Sequence, residues 1–151
     1  MSTAVIPQAP TVAPIAPSTV FDPEKVFAMW CSYGDLTKLA PKDRARVVRL
    51  LQTATEPLAD HIGEIVSIEH IIVHNVELVD EKTGEVNECA RLVLIGPDEV
   101  AYSCVSEGIR RSIGLLAQFY GMPPWRGGIK AKVEQLTTRK ARRTFILTPV
   151  E

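Results

Sequence analysis

Between Trp125 and Arg143 the chain carries seven cations, Arg126, Lys130, Lys132, Arg139, Lys140, Arg142 and Arg143, against one anion, Glu134. The densest run is Thr137-Thr138-Arg139-Lys140-Ala141-Arg142-Arg143, with four cations in five residues beside two hydroxyls. Cations flanked by hydroxyls are the groups that hold phosphate oxygens. Each phosphate they neutralise releases condensed counterions, so such binding weakens with salt. A solvated turn is the competing reading, but surface turns usually mix their cations with acids and this one does not. Lys130 and Lys132 alternate, so on a strand they share a face and extend the same track. Arg91 stands among acids, where it either joins a cationic groove or pairs with one of them.

Stacking on nucleobases requires exposed aromatic rings. Only nine of the 151 residues are aromatic, so few remain once a core is filled. Trp125, next to Arg126 in a loop, is the best candidate. Tyr102 shares a strand face with Val100 and Cys104, and Phe145 shares one with Leu147, so each suits a core as well as a surface. The expected binding is therefore dominated by the backbone of the polymer and tolerant of its sequence.

Catalytic chemistry finds little support. His61, His70 and His74 are the three histidines, and His70 and His74 are four apart. On a strand that spacing separates them by about 13 Å, too far to share one metal ion. The carboxylates are dispersed, no glycine-rich phosphate loop precedes a helix, and Cys31, Cys89 and Cys104 form no CxxC pair. Each cysteine lies in an apolar, periodic context that suits a buried reduced thiol, although Cys89 and Cys104 fall on neighbouring expected strands. No enzyme activity, metal or cofactor is expected.

The elements that must position these residues follow from periodicity. Glu64 to Asp80 is long and β-branched, and its apolar positions do not keep one phase, which predicts a bulge or bend around His70 to Asn75. A turn at Glu81 to Glu85, with Gly84 free to take positive φ, leads into a strand from Val86 to Ile95. Gly96 to Glu99 is a second turn, and Val100 to Val105 a third strand. A helix then starts at the Ser106 N-cap, with Glu107 against the helix dipole. Ile109, Ile113, Leu116 and Tyr120 form its stripe, and Gly121, Pro123 and Pro124 end it. Ile129 to Leu136 and Thr144 to Val150 are the last two strands. The order β-β-β-α-β-β predicts a mainly β protein with helices (α+β) and an OB-like five-stranded barrel, in which the bent first strand serves both halves.

Upstream, residues 1–20 hold Pro7, Pro10, Pro14 and Pro17 and no charge, which reads as a flexible, partly polyproline-like arm rather than a secretory signal. Residues 21–60 read as a helical extension. Asp22, Pro23 and Glu24 start a helix whose apolar face is Val26, Phe27, Trp30 and Tyr33 and which Gly34 closes. A second helix runs from near Pro41 to about Thr53, with Lys42, Arg46 and Arg49 on one face and Arg44 nearby. Residues 61–151 are the expected OB-like domain. The net charge of −1 hides segregation: Glu56 to Glu107 holds twelve acids against Lys82 and Arg91. No run of ~18 apolar residues is present, so no membrane span is expected.

The C-terminal ~90 residues resemble a virus- or plasmid-encoded single-stranded DNA-binding protein with an OB fold. The likeness rests on strand order, the segment YSCVSEGIRRSIGLLAQFYGMPPW and the basic loop TTRKARR. It implies binding across the second and third barrel strands, flanked by the loops between strands 1–2 and 4–5. It also implies a role in replication or recombination of a phage or plasmid within the host cytoplasm. On that reading Arg139, Lys140, Arg142 and Arg143 hold phosphates, Lys130, Lys132, Arg126 and Arg91 extend the groove, and Trp125 and Tyr102 stack bases. RNA is a variant that the residues do not separate from DNA. Self-association and contacts with replication proteins are the expected further partners. Bacterial proteins of this class end in an acidic tail; the sequence ends at Thr148-Pro149-Val150-Glu151 without one, so their partner network is not carried over. The other function weighed is a protein–protein assembly module that works through the proline arm and the two helices.

Overall fold

The two-residue periodicity that sets in at Glu64 builds two sheets. The computed structural model describes residues 20–21, 29–137, 139 and 143–150. In chain order these form β1 (Met29–Cys31), α1 (Pro41–Thr53), β2 (Glu56–Pro57), a 3-10 turn (Leu58–His61), β3 (Ile65–Ile68), β4 (His70–Val79), β5 (Val86–Ile95), β6 (Ala101–Cys104), α2 (Glu107–Tyr120), β7 (Ile129–Thr137) and β8 (Arg143–Pro149). From Ile65 onward the order is the expected β-β-β-α-β-β, with β3 and β4 as one interrupted strand.

The interruption is visible in burial. Val66 and Ile68 point inward, and so do Ile71 and Val73, so Glu69 and His70 stand where strict alternation allows one residue. Glu69 N–H donates to Ile95 O (2.7 Å), and Glu69 O accepts from Trp125 N–H (2.8 Å). The break falls at Glu69, just ahead of the expected window, and lets one strand enter both sheets. The five-stranded sheet runs β1-β4-β5-β6-β2 and the three-stranded sheet β3-β7-β8. All pairings are antiparallel except β2 beside β6, where Glu56 and Pro57 lie next to Tyr102 and Ser103.

The expected barrel is corrected to two open sheets. Closure requires the outermost strands, here β6 and β8, to pair. Instead β2 takes the edge of β6, and β8 remains the edge of its own sheet. Helix α2 lies along β8 in place of a strand. Gly108 permits that approach, because a Cβ there would run into Phe145 O and Thr144 Oγ1. Ser112 Oγ accepts from Leu147 N–H (3.1 Å), which satisfies a β8 backbone donor. The start of α2 is as read from the sequence: Ser106 Oγ accepts from Ile109 N–H (3.2 Å), and Gly121 follows the helix at φ 85°.

The main core lies between the two sheets and α2, with Ile68, Ile71, Leu92, Leu94, Ile113 and Val133 fully buried. A second core occupies the opposite face of the five-stranded sheet, where Ile72, Val93 and Ile95 meet Cys31, Leu39, Val47 and Ala54. Helix α1 has the expected span and packs its Val47 side onto this face. The first helix expected from Asp22 to Gly34 is corrected, because Met29–Cys31 is a strand paired with β4. Residues 22–28 lie outside the described ones. Trp30 faces the main core and Cys31 the second, an alternation that only a strand provides. Trp30 meets Phe21 edge-on at 5.8 Å. Val20, expected at the end of a free arm, is fully buried, and Arg110 of α2 donates to its carbonyl from Nε (3.0 Å) and Nη2 (2.7 Å). Cys89 and Cys104 stand on paired strands but on opposite faces, and all three cysteines are free.

Candidate nucleic-acid interface

Strand β7 sorts its residues by the pleat. Ala131 and Val133 are fully buried, so Lys130 and Lys132 point outward, and both are exposed. The register places Ser67 and Ile65 of β3 beside them on one side and Thr148 of β8 on the other. The outer face of the three-stranded sheet is therefore a shallow surface of lysines, hydroxyls and aliphatic side chains, with Glu134 as the β7 acid on it. Among the described residues neither lysine has an ion-pair partner. Arg139 is exposed in the turn between β7 and β8, and Arg143 is exposed at the start of β8. Lys140 and Arg142, expected in the same track, lie outside the described residues. Arg126 is exposed in the turn that leads into β7. Lys130, Lys132, Arg126, Arg139 and Arg143 thus border one sheet, while Glu77, Asp80, Glu81, Glu85 and Glu88 gather on the β4–β5 hairpin of the other.

Three expected contacts have other tasks. Trp125 is only 6% exposed and belongs to the main core; its indole N–H donates to Gly121 O (2.7 Å). The tight chain path after α2 carries the ring inward, so the stacking role expected for it is corrected. Arg91 donates from Nη1 to Leu51 O (2.8 Å), from Nη2 to Ala54 O (2.6 Å) and from Nε to Ser103 Oγ (2.9 Å). It satisfies carbonyls at the C-terminal end of α1, which have no partner within the helix, rather than extending a groove. Tyr102 is half-buried on the inner side of β6, packed against the main core with its ring edge-on to His61 at 4.8 Å. Phe145 likewise packs, half-buried, against the main core.

The outer face of β5 and β6, the surface the resemblance implied for binding, lies partly under α1 through Val93 and Ile95. Between β6, the start of α2 and β8 a cavity of about 700 Å³ opens, lined by Leu58, Cys104, Val105, Ile109, Arg143 and Phe145 among others. Burial pushes the Cys104 thiol up to about 12, which favours its protonated form. His61 bonds Glu56 (3.1 Å) through Nε2 and Glu64 (3.1 Å) through Nδ1. These two carboxylates, Glu64 foremost, hold its pKa above the ordinary imidazole value.

One constellation was not read from the sequence. Tyr33 and His70 stack face to face, with ring centroids 3.9 Å apart and planes 9° apart, and the Arg46 guanidinium carbon stands over the Tyr33 ring at 6.0 Å. The misread helix hid it by placing Tyr33 on a buried face. The bulge at Glu69, which turns His70 outward, was the available signal.

The family described as phage single-stranded DNA-binding protein matches residues 39–148. The match takes in α1 as well as every strand from β2 to β7 and nearly all of β8. No curated protein and no solved structure matches the chain.

Proposed function

The chain belongs to the phage single-stranded DNA-binding protein family, and on that premise we propose that it holds the strand along the outer face of the three-stranded sheet. Lys130 and Lys132 take successive phosphates there. Arg126 at one end and Arg139 and Arg143 at the other lengthen the track, and Lys140 and Arg142 join it. Membership of the family over residues 39–148 carries the reading; the exposed β7 lysines, without an ion-pair partner among the described residues, support this surface. Contact through phosphates carries little base information, so recognition is tolerant of sequence. A protein of this kind protects or presents single strands during replication or recombination of a phage genome in the host cytoplasm, a binding role with no catalytic step.

The test is fluorescence anisotropy of a labelled oligonucleotide, as single strand and as duplex, across a salt series. Salt-sensitive binding that favours the single strand and is lost in Lys130→Glu/Lys132→Glu is the expected result. Wild-type binding that the double variant leaves intact would overturn this surface. Equal affinity for the duplex would overturn the strand preference.

A further inference from the structure

The outer surface of β7 does not end at Lys130. Lys130 lies beside Ser67 of β3. Two residues on, the bulge at Glu69 tips His70 to the outer side of the five-stranded sheet, in register with Ile95. Glu69 also binds the turn that bears Arg126: its carboxylate accepts from Gly127 N–H (3.3 Å). The cationic face and the Tyr33–His70 stack, whose Tyr33 is half-buried against the second core, are therefore linked by the four residues Ser67 to His70 of the interrupted strand. Arg46 of α1 stands over the Tyr33 ring, and by helical spacing Lys42 and Arg49 fall on the same side of α1.

The stack is built to stay in place. Ser32 Oγ lies 2.8 Å from His70 Nδ1 and accepts from Ile71 N–H (2.9 Å), so the imidazole is fixed against the sheet. Burial lowers the His70 pKa, so at neutral pH the ring is uncharged and acts as a flat support. Besides meeting Tyr33, Arg46 pairs with Glu99 at 3.7 Å, and both members of that pair are exposed. An exposed pair of this kind contributes little and yields readily to a phosphate. An aromatic ring backed by a second ring, with a loosely held guanidinium above it, is the arrangement on which a single-stranded base stacks while its phosphate meets a cation.

Resting on the function proposed above, we propose that Tyr33, stacked on His70 and overhung by Arg46, is a nucleobase-stacking platform that continues the β7 phosphate track onto the rim of α1. Single strands, whose bases are free, would use it; duplex DNA, whose bases are paired, would not.

Three variants in the full chain, titrated with oligo-dT over a salt series, test it. Tyr33→Leu removes the aromatic face and keeps bulk; it should weaken binding about tenfold at every salt concentration with an unchanged slope. Tyr33→Phe should bind as wild type. Arg46→Ala should lower the salt slope by about 1. Ultraviolet cross-linking of the wild-type protein to oligo-dT, mapped by mass spectrometry, serves if Tyr33→Leu fails to fold. Cross-links at Tyr33 or His70 support the platform, and cross-links confined to other residues overturn it. If Tyr33→Leu folds and binds as wild type while Lys130→Glu/Lys132→Glu does not bind, the platform fails and the β7 track stands. If the wild type ignores single strands at low salt, both fail.

Discussion

The two sheets present their outer faces to very different surroundings. On the five-stranded sheet, Ile72, Val93 and Ile95 are covered by α1, and Arg91 beneath it ties down the carbonyls of Leu51 and Ala54. On the three-stranded sheet, the equivalent side carries Lys130 and Lys132 and has no covering helix among the described residues. The same pleat alternation operates in both; what differs is which residues occupy the outward positions. Aliphatic residues there demand a cover, and cations flanked by hydroxyls do not. The family match, residues 39–148, includes the covering helix α1. The surface over strands two and three, implied by resemblance, is therefore partly covered, whereas Lys130 and Lys132 stand exposed on the other sheet.

Trp125→Ala should break this division most severely. A ring 6% exposed in the main core leaves a cavity when truncated, at a cost of about 3–5 kcal/mol. A large drop in Tm is expected. An unchanged Tm with weakened DNA binding would instead return Trp125 to the surface role its neighbour Arg126 suggested.

Lys130→Glu/Lys132→Glu sharpens the other side. Binding to a single strand should fall by one to two orders of magnitude at moderate salt, and the slope of log affinity against log salt should flatten by about 1 to 2. Thermal unfolding should match the wild type, since neither lysine has an ion-pair partner among the described residues.

Arg91→Ala should show the reverse signature. Losing donors to two carbonyls and a hydroxyl should cost about 1–3 kcal/mol in urea unfolding, with the salt slope of DNA binding unchanged. A changed slope would place Arg91 on the DNA after all.

The smallest effect concerns His61. Its folded pKa is raised above the 6.5 of the free imidazole by Glu64 and Glu56, so the charged form is favoured by folding. That contribution is fully present below about 6.5 and is lost as pH climbs through the raised folded value. Urea midpoints from about pH 5.5 to about 8.5 should lose this component in His61→Gln. Identical pH profiles for the two proteins would show that the bridge contributes nothing.

What was legible in the sequence was local. Ser106 and Gly121 bracket α2, Pro41 starts α1, and the broken phase of Ile68 and Ile71 marks the bend that lets one strand serve two sheets. The alternation of Lys130 with Ala131 and Val133 exposes the cations, because a strand turns successive side chains to opposite faces whatever lies around it. Trp30 and Tyr33 misled, since aromatic residues spaced three apart fit a helix as well as the end of a strand and the loop after it; the free edge of β4 settled the choice by offering backbone partners. The tertiary structure alone decided that β2 takes the edge of β6 and leaves the barrel open, that Trp125 turns inward, that Arg91 caps a helix forty residues away, and that Tyr33 finds His70. Each of these depends on pairs distant in the chain competing for one partner. Periodicity and capping report how a residue treats its near neighbours; which remote group arrives to meet it is set by the packing of the whole.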